Sequence, residues 1–502
     1  MGNLLGTAIL LPLALALLIR AWRPRPAHPF PPGPKGVPFL GSVFEVPTEL
    51  LWVKLVEWYK EYGPIYSYTV LGQRVVVISG LREAGDILDR MSAKTSDRSR
   101  LIKVHDYLTR GKELGLLPRN DVWRAHRRAA HESFNSRAAQ DYHLVQEEES
   151  RVLVKDLLNH PGANADDHIF RFSTSIAWRA SFGHELIPLE GPDPSLPLQE
   201  IFKAIFTGFI PGNSIVDLFP FLNPIIARSK FIRRSAPLPT PLQSVRDCHC
   251  QTRRQVLRRC HCLFRQVFFR SSGESITRRT DTSITATQVD GTMAALRWFL
   301  VAMILYPEAA LAAREQLDRV LGDRPPTFAD YEELPQIEAL VKELLRWRPP
   351  TPAGLVHMAS EDIIYDGFLI PKGAVLMPNA WSLCRDPSVY PAGEAFDPSG
   401  FLDDNGNLRR PPLDTHDDYP VFGHGRRICV GRALAKNSLW ISIACVLWAF
   451  DIEKGVDEHG VEVTPDPLDF IDHGVTVWPK SFPVKLVPRY PDLADRLKPE
   501  PA

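Results

Sequence analysis

The feature that most constrains this chain is a glycine-rich loop that ends in a lone cysteine and runs straight into a long apolar segment. The loop reads Pro420-Val421-Phe422-Gly423-His424-Gly425-Arg426-Arg427-Ile428-Cys429-Val430-Gly431, and residues 433–450 follow as an apolar run. Glycine removes the Cβ that would collide, so such a loop can bring backbone close to something flat and bulky. Cys429 stands just before a predicted helix, where the positive end of the helix dipole favours a thiolate, and Arg427 adds a fixed positive charge nearby. A thiolate held this way is a metal ligand or a nucleophile. No partner cysteine or Cys-x-x-Cys stands beside it, which argues against a redox pair or a structural zinc site. The plain alternative is a small buried apolar residue in a glycine turn.

The rest of the chain sets bounds on this reading. Its 502 residues are enough for a large core. Lysine plus arginine and aspartate plus glutamate are equal at 59 each, so no net charge draws the chain towards nucleic acid. The seven cysteines show no disulfide framework, which fits a reducing compartment. Residues 4–19 are apolar apart from Gly6, Thr7 and Pro12, and Arg20, Arg23 and Arg25 follow. With its flanks, 1–22, this run reaches the length of a membrane span. No basic region precedes it, as a cleaved signal would require, and the arginines after it favour a cytosolic body. Pro31-Pro32-Gly33-Pro34 then reads as a stiff extended segment.

Motifs along the chain are individually cheap and collectively specific. The pattern Phe422-x-x-Gly425-x-Arg427-x-Cys429-x-Gly431 resembles the haem-binding loop of the cytochrome P450 haem-thiolate monooxygenases. The resemblance implies haem b ligated by Cys429, with Phe422, Arg427 and Gly431 in the cofactor-binding loop. Trp123 and Arg127 are four apart in a predicted helix and share a face. In the family a pair at this place hydrogen-bonds a haem propionate, whereas the plain alternative is a basic face with one tryptophan packed inward. Glu343 and Arg346 form Glu-x-x-Arg on one helical turn, a buried structural pair in the family. Its usual third partner is an arginine in a Pro-x-Arg-Phe segment, which here reads Pro398-Ser399-Gly400-Phe401. A pair left half-satisfied by Gly400 would be costly. A histidine at the place of His357 often meets a propionate in the family; a satisfied loop histidine is the alternative.

The central helix departs from the family. Aligning Asp290 with its acid puts Gly291 where its first threonine, which helps deliver protons, belongs, and Thr292 on the next position. One residue along a helix turns the side chain by about 100°, so Thr292 does not simply replace it. Asp290 and Thr292 are the candidate catalytic residues, with water carrying the proton as one route. Residues 246–279 are irregular: nine arginines stand against Asp247 and Glu274, with Cys248-His249-Cys250 and Cys260-His261-Cys262 among them. The triplets are too tight for a standard zinc knuckle, and a basic surface segment or a faulty gene model is the better reading.

The expected fold is mainly α with small β regions, the cytochrome P450 fold, as one large domain behind an N-terminal transmembrane anchor. Residues 1–22 are the expected anchor, 23–40 a basic and proline-rich hinge, and 41–502 the haem-thiolate catalytic domain. The resemblance implies a microsomal-type monooxygenase of the endoplasmic reticulum membrane, facing the cytosol and most like fungal enzymes of secondary metabolism. Electrons would come from NADPH through NADPH–cytochrome P450 reductase, for which Arg426, Arg432 and Lys436 offer a basic surface. The substrate would be a small lipophilic molecule, terpenoid or polyketide. A haem-thiolate isomerase or peroxide-dependent enzyme, favoured by Gly291, and a haem-binding pseudoenzyme, suggested by Gly400, are the competing readings.

Overall fold

The computed structural model describes residues 26–109, 111, 113–160, 164–183, 186–187, 205, 208, 214–218, 220–224, 277–411 and 420–498. The expected anchor at 1–22, the start of the hinge and nearly all of the irregular 246–279 segment lie outside the described residues.

Local sequence explains where the elements start and stop. Helix α1 spans Leu51–Tyr62 and stops at Gly63, whose φ is +89°. Strands β1 (Ile65–Val70) and β2 (Gln73–Ile78) follow as an antiparallel hairpin around Gly72, with Ile65 opposite Ile78. A helical turn at Leu81–Ala84 widens into a π-helical segment, Gly85–Arg90. Helix α2 (Asp121–Phe134) is capped by the Asn120 side chain, which accepts from the Trp123 N–H at 2.8 Å. Helices α3 (His143–Asn159) and α4 (Ala165–Phe182) follow, α4 ending at Gly183 with φ +66°.

The longest helix, α5 (Thr277–Leu305), runs through the middle of the molecule. Pro307 opens α6 (Pro307–Leu321) in a bend of 102°, because proline fits a first helical turn but breaks a helix interior. Pro335 opens α7 (Pro335–Trp347) in the same way. The β-rich part continues with β3 (His357–Met358), β4 (Ile363–Tyr365), β5 (Phe368–Ile370) and β6 (Val375–Pro378). Helix α8 (Arg432–Ala449) then precedes β7 (Phe450–Lys454), β8 (Phe470–Asp472), β9 (Val477–Pro479) and β10 (Val484–Pro488).

The strands form a four-stranded sheet in the order β1-β2-β6-β3 and three two-stranded ribbons, β4-β5, β7-β10 and β8-β9. The main core lies among the helices: α5 packs on α4, α6, α7 and α8, and every residue of α8 from Ser438 to Ala449 is buried. A helix apolar on all sides is stable only when surrounded, and α8 is surrounded. This fixes the residue before its first turn, Gly431, and the cysteine two residues earlier. Among the described residues no single helix is long and apolar enough to cross a membrane; the bent pair of α5 and α6 passes by composition and belongs to the core.

Candidate active site

The cysteine loop is held from within and from both sides. Short 3₁₀ turns at Pro420–Phe422 and Gly425–Arg427 fold it, and the Cys429 N–H donates to the Phe422 carbonyl at 2.8 Å. Phe422 is half-buried and packs on the main core. Gly425 has φ +54°, and a Cβ there would lie 2.2 Å from the Leu88 carbonyl oxygen, so only glycine fits. Gly431 is the N-cap of α8, and its N–H donates to Cys429 Sγ. Burial pushes the Cys429 thiol above its ordinary value, while the Gly431 N–H, Arg127 and Arg432 pull it down.

This corrects the sequence reading of Arg427. Its guanidinium is turned away from the thiol: Nε donates to the Ser96 carbonyl at 2.8 Å and Nη2 to the Leu117 carbonyl at 2.7 Å. The arginine that reaches the cysteine loop from outside is Arg127, whose Nη2 donates to the carbonyl of Ile428. Trp123 and Arg127 do share a face of α2. The Trp123 ring lies 4.2 Å from the Arg427 guanidinium, and Arg127 lies beside Cys429 one turn on.

On the other side of Arg427 the structure gathers an excess of buried positive charge. Arg98 is buried, donating to the carbonyls of Gly115 at 2.9 Å and Leu355 at 3.0 Å and to that of Val356. Burial pushes Arg98 down to about 10 and Arg427 down to about 9, and the positive groups beside each add to the fall. His357 is buried with Nδ1 2.9 Å from the Thr95 carbonyl, and burial followed by the Arg98 charge holds it well below the usual histidine range. The carbonyl fixes Nδ1 as the donor, which leaves Nε2 turned towards the cluster. Neither Arg98 nor Arg427 makes an ion pair among the described residues, and Arg427 Nη1 is buried without a partner. Glu113 and Asp97 offset part of this charge from a distance, but neither arginine has a paired carboxylate among the described residues, and a buried cation without one is expensive, so the cluster suits an anionic group. Arg98 was not among the sequence candidates; only its place in Ser96-Asp97-Arg98 marks it.

Helix α5 lies across from the loop. Asp290 is partly buried, and burial alone pushes its carboxyl up to about 7. At Gly291 a Cβ would meet nothing within 4 Å. Thr292 is buried on a different face, bordering a void of roughly one water's size with Ser173 of α4 and Leu434, Ala435 and Ser438 of α8. The three consecutive residues thus address three surroundings.

The Glu343–Arg346 pair is buried and bidentate, with contacts of 2.5 and 2.7 Å. Arg346 also donates to the carbonyls of Cys384 at 3.1 Å, Gly393 at 2.7 Å and Ala395 at 2.6 Å, and Glu343 accepts from the Asp397 N–H at 2.6 Å. The pair expected to be half-satisfied is therefore closed by backbone. At Gly400 a Cβ would meet nothing within 4 Å. Lys436, expected on a partner surface, lies 3.6 Å from Glu338.

A cysteine thiol facing a helix N-terminus, beside a buried pocket for carboxylates and beneath a long central helix, defines a haem-thiolate protein. The family profile of cytochrome P450 matches residues 31–471. A cytochrome P450 monooxygenase of Armillaria gallica is 36% identical over 93% of this chain and 91% of its own length. Cytochrome P450 monooxygenase 253 of Postia placenta is 35% identical over 99% of this chain and 96% of its own. Monooxygenase claR of Ampulloclitocybe clavipes is 34% identical over 91% and 86%. The chain belongs to the cytochrome P450 family, and its fold, helix-rich with small sheets in a single domain, is that family's. The described residues fit the haem that membership implies: a thiol to ligate iron, and the unpartnered Arg427 Nη1 with Arg98 to receive carboxylates.

Proposed function

We propose that this chain is a haem-dependent monooxygenase that inserts one oxygen atom of O2 into a small lipophilic substrate in fungal secondary metabolism. The observation that carries it is the Cys429 thiol at the N-terminus of α8, in one loop with the buried cation Arg427, whose Nη1 has no partner and which lies near buried Arg98; haem, with an iron and carboxylates, matches both features. Haem bound there supplies oxygen activation, favoured by electron donation from the cysteine thiolate. Cys429 would hold the iron, with the Gly431 N–H and Arg127 stabilising its thiolate. Arg98, Arg427 and the Trp123 face of α2 would hold the carboxylates, and His357 would join them only once protonated at Nε2. Asp290, half-protonated near pH 7, would hold a proton at its carboxyl, and a water in the space beside Gly291 would carry it onward. Thr292 faces the small void between α4 and α8 and stands apart from this relay.

A lipophilic substrate is supported by an apolar cluster of Val104, Trp178, Ile187 and Ile205, to which Val475 from the β8–β9 turn adds. Attachment to the endoplasmic reticulum membrane rests on the apolar run at 4–19 and on exposed Val37, Phe39 and Leu40 at the end of the hinge with Phe44 just beyond it. NADPH–cytochrome P450 reductase would supply electrons, with Arg426 exposed on the cysteine side. Gly291 gives one alternative a foothold, since an isomerase or a peroxide-using enzyme needs no proton relay. The test is product formation from a panel of terpenoids and polyketides with reductase and NADPH, beside the same panel with peroxide. Strict dependence on NADPH and O2 supports the monooxygenase; turnover without them overturns it.

A further inference from the structure

The cysteine loop has a second support, from the segment that includes Asp89 and the π-helical turn. The segment from the π-helical turn to Arg98 touches it repeatedly. Ser96 O accepts from Arg427 Nε, and Thr95, whose Oγ1 donates to Ile87 O at 2.9 Å, accepts from His357 Nδ1. Asp89, in the π-helical turn, is the acid in this contact. Its Oδ1 accepts from the Gly425 N–H at 2.5 Å, and its Oδ2 lies 3.3 Å from Nδ1 of buried His424. Gly425 is pressed on Leu88 so closely that no Cβ fits. From Gly425 the chain is a 3₁₀ turn, with Arg427 N–H on His424 O and Ile428 N–H on Gly425 O, and Cys429 comes next. Whatever fixes Gly425 therefore fixes Cys429 through a short rigid lever. A π-turn is an uncommon distortion, and here it carries the carboxylate that meets the loop.

We propose that Asp89 is a positioning residue for the thiolate, acting through Gly425 and His424 to keep Cys429 Sγ within reach of the Gly431 N–H and Arg127. The proposal rests on the reading of Cys429 as the haem ligand. A carboxylate on a backbone N–H is a charge-assisted bond, stronger than a neutral one, and its loss frees the loop to relax. Relaxation lets Cys429 leave the place that the Gly425 turn sets for it, so the cysteine ligates less reliably.

The test compares full-length haem-loaded wild type, Asp89→Ala, Asp89→Asn and Cys429→Ala in membranes. Haem per polypeptide is measured first, then the share of the reduced carbon-monoxide complex in the thiolate-type and thiol-type bands. In Asp89→Ala the ratio of haem without thiolate-type ligation to haem with it rises about tenfold, the scale of one hydrogen bond to a charged group. Asp89→Asn, which still offers Gly425 an acceptor, falls between it and wild type. A role in stability alone would lower haem content and melting temperature but leave the band ratio of the retained haem unchanged, and that result overturns the proposal. If Asp89→Ala does not accumulate, Asp89→Asn decides, and a wild-type ratio there overturns it. A wild type without a thiolate band, or a Cys429→Ala that keeps one, instead defeats the ligand assignment beneath it.

Discussion

Two buried arginine clusters in this molecule differ in one respect. Around Arg346 every donor has an acceptor: a bidentate carboxylate from Glu343 and the carbonyls of Cys384, Gly393 and Ala395. Around Arg98 and Arg427 the carbonyls take part of the hydrogen bonding, and Glu113 and Asp97 act on the charge only from a distance, without a direct pair among the described residues. The first cluster is complete in the polypeptide and holds α7 to the segment before Pro398. The second is complete only with a ligand. Burial depresses both arginines of the second, whereas the Glu343 contacts outweigh burial at Arg346 and raise it. Charge balance, rather than burial, separates a structural arginine from a binding one.

The largest effect expected is at the closed cluster. Glu343→Ala leaves Arg346 buried without its counter-ion and costs about 3–5 kcal/mol, seen as loss of accumulated protein before haem is considered. Arg427→Leu sharpens the contrast. It removes a cation that has no carboxylate, so the melting temperature of the haem-free protein changes little, while haem dissociates about ten- to a hundredfold faster. Equal loss of haem-free stability in both variants would erase the distinction.

Asp290 is expected to show its surroundings through pH. Its carboxyl is raised in the folded protein to about 7, so the protonated form is favoured there. Its contribution to stability is present below the ordinary carboxylate range and is lost as pH rises towards 7. Denaturant titrations from pH 4 to pH 8 should show this fall, and Asp290→Asn should flatten it. Turnover should decline above about pH 7 as the carboxyl loses its proton, and the variant should lose that limb too. Gly400→Arg is expected to do least. The side chain has room, but Arg346 and Glu343 are already satisfied, so the gain stays within about 1 kcal/mol, the cost of glycine in a helical turn.

The helices were legible because their signals are local. The apolar run after Cys429 and Glu343–Arg346 on one turn both appear in the structure as read. The Cys429 loop was legible because glycine spacing reports a backbone constraint, and Gly425 against Leu88 is that constraint. What failed to show depends on partners without a sequence signature. Arg346 is closed by carbonyls, which any residue carries. Arg427 turns towards Ser96 and Leu117, more than three hundred positions away in sequence, rather than towards its neighbour Cys429. Arg98 and Asp89 were invisible because their function lies in the contact of a π-turn segment with a distant loop.

Cys429 is proposed as the ligand of a haem whose carboxylates lie on Arg98 and Arg427. The reduced carbon-monoxide difference spectrum of wild type and Cys429→Ala, with haem content measured on the same membranes, tests it most directly. The expected result is a thiolate-type band in wild type that is absent from the variant. A thiolate-type band that survives in Cys429→Ala, or haem-replete wild type without one, would contradict it.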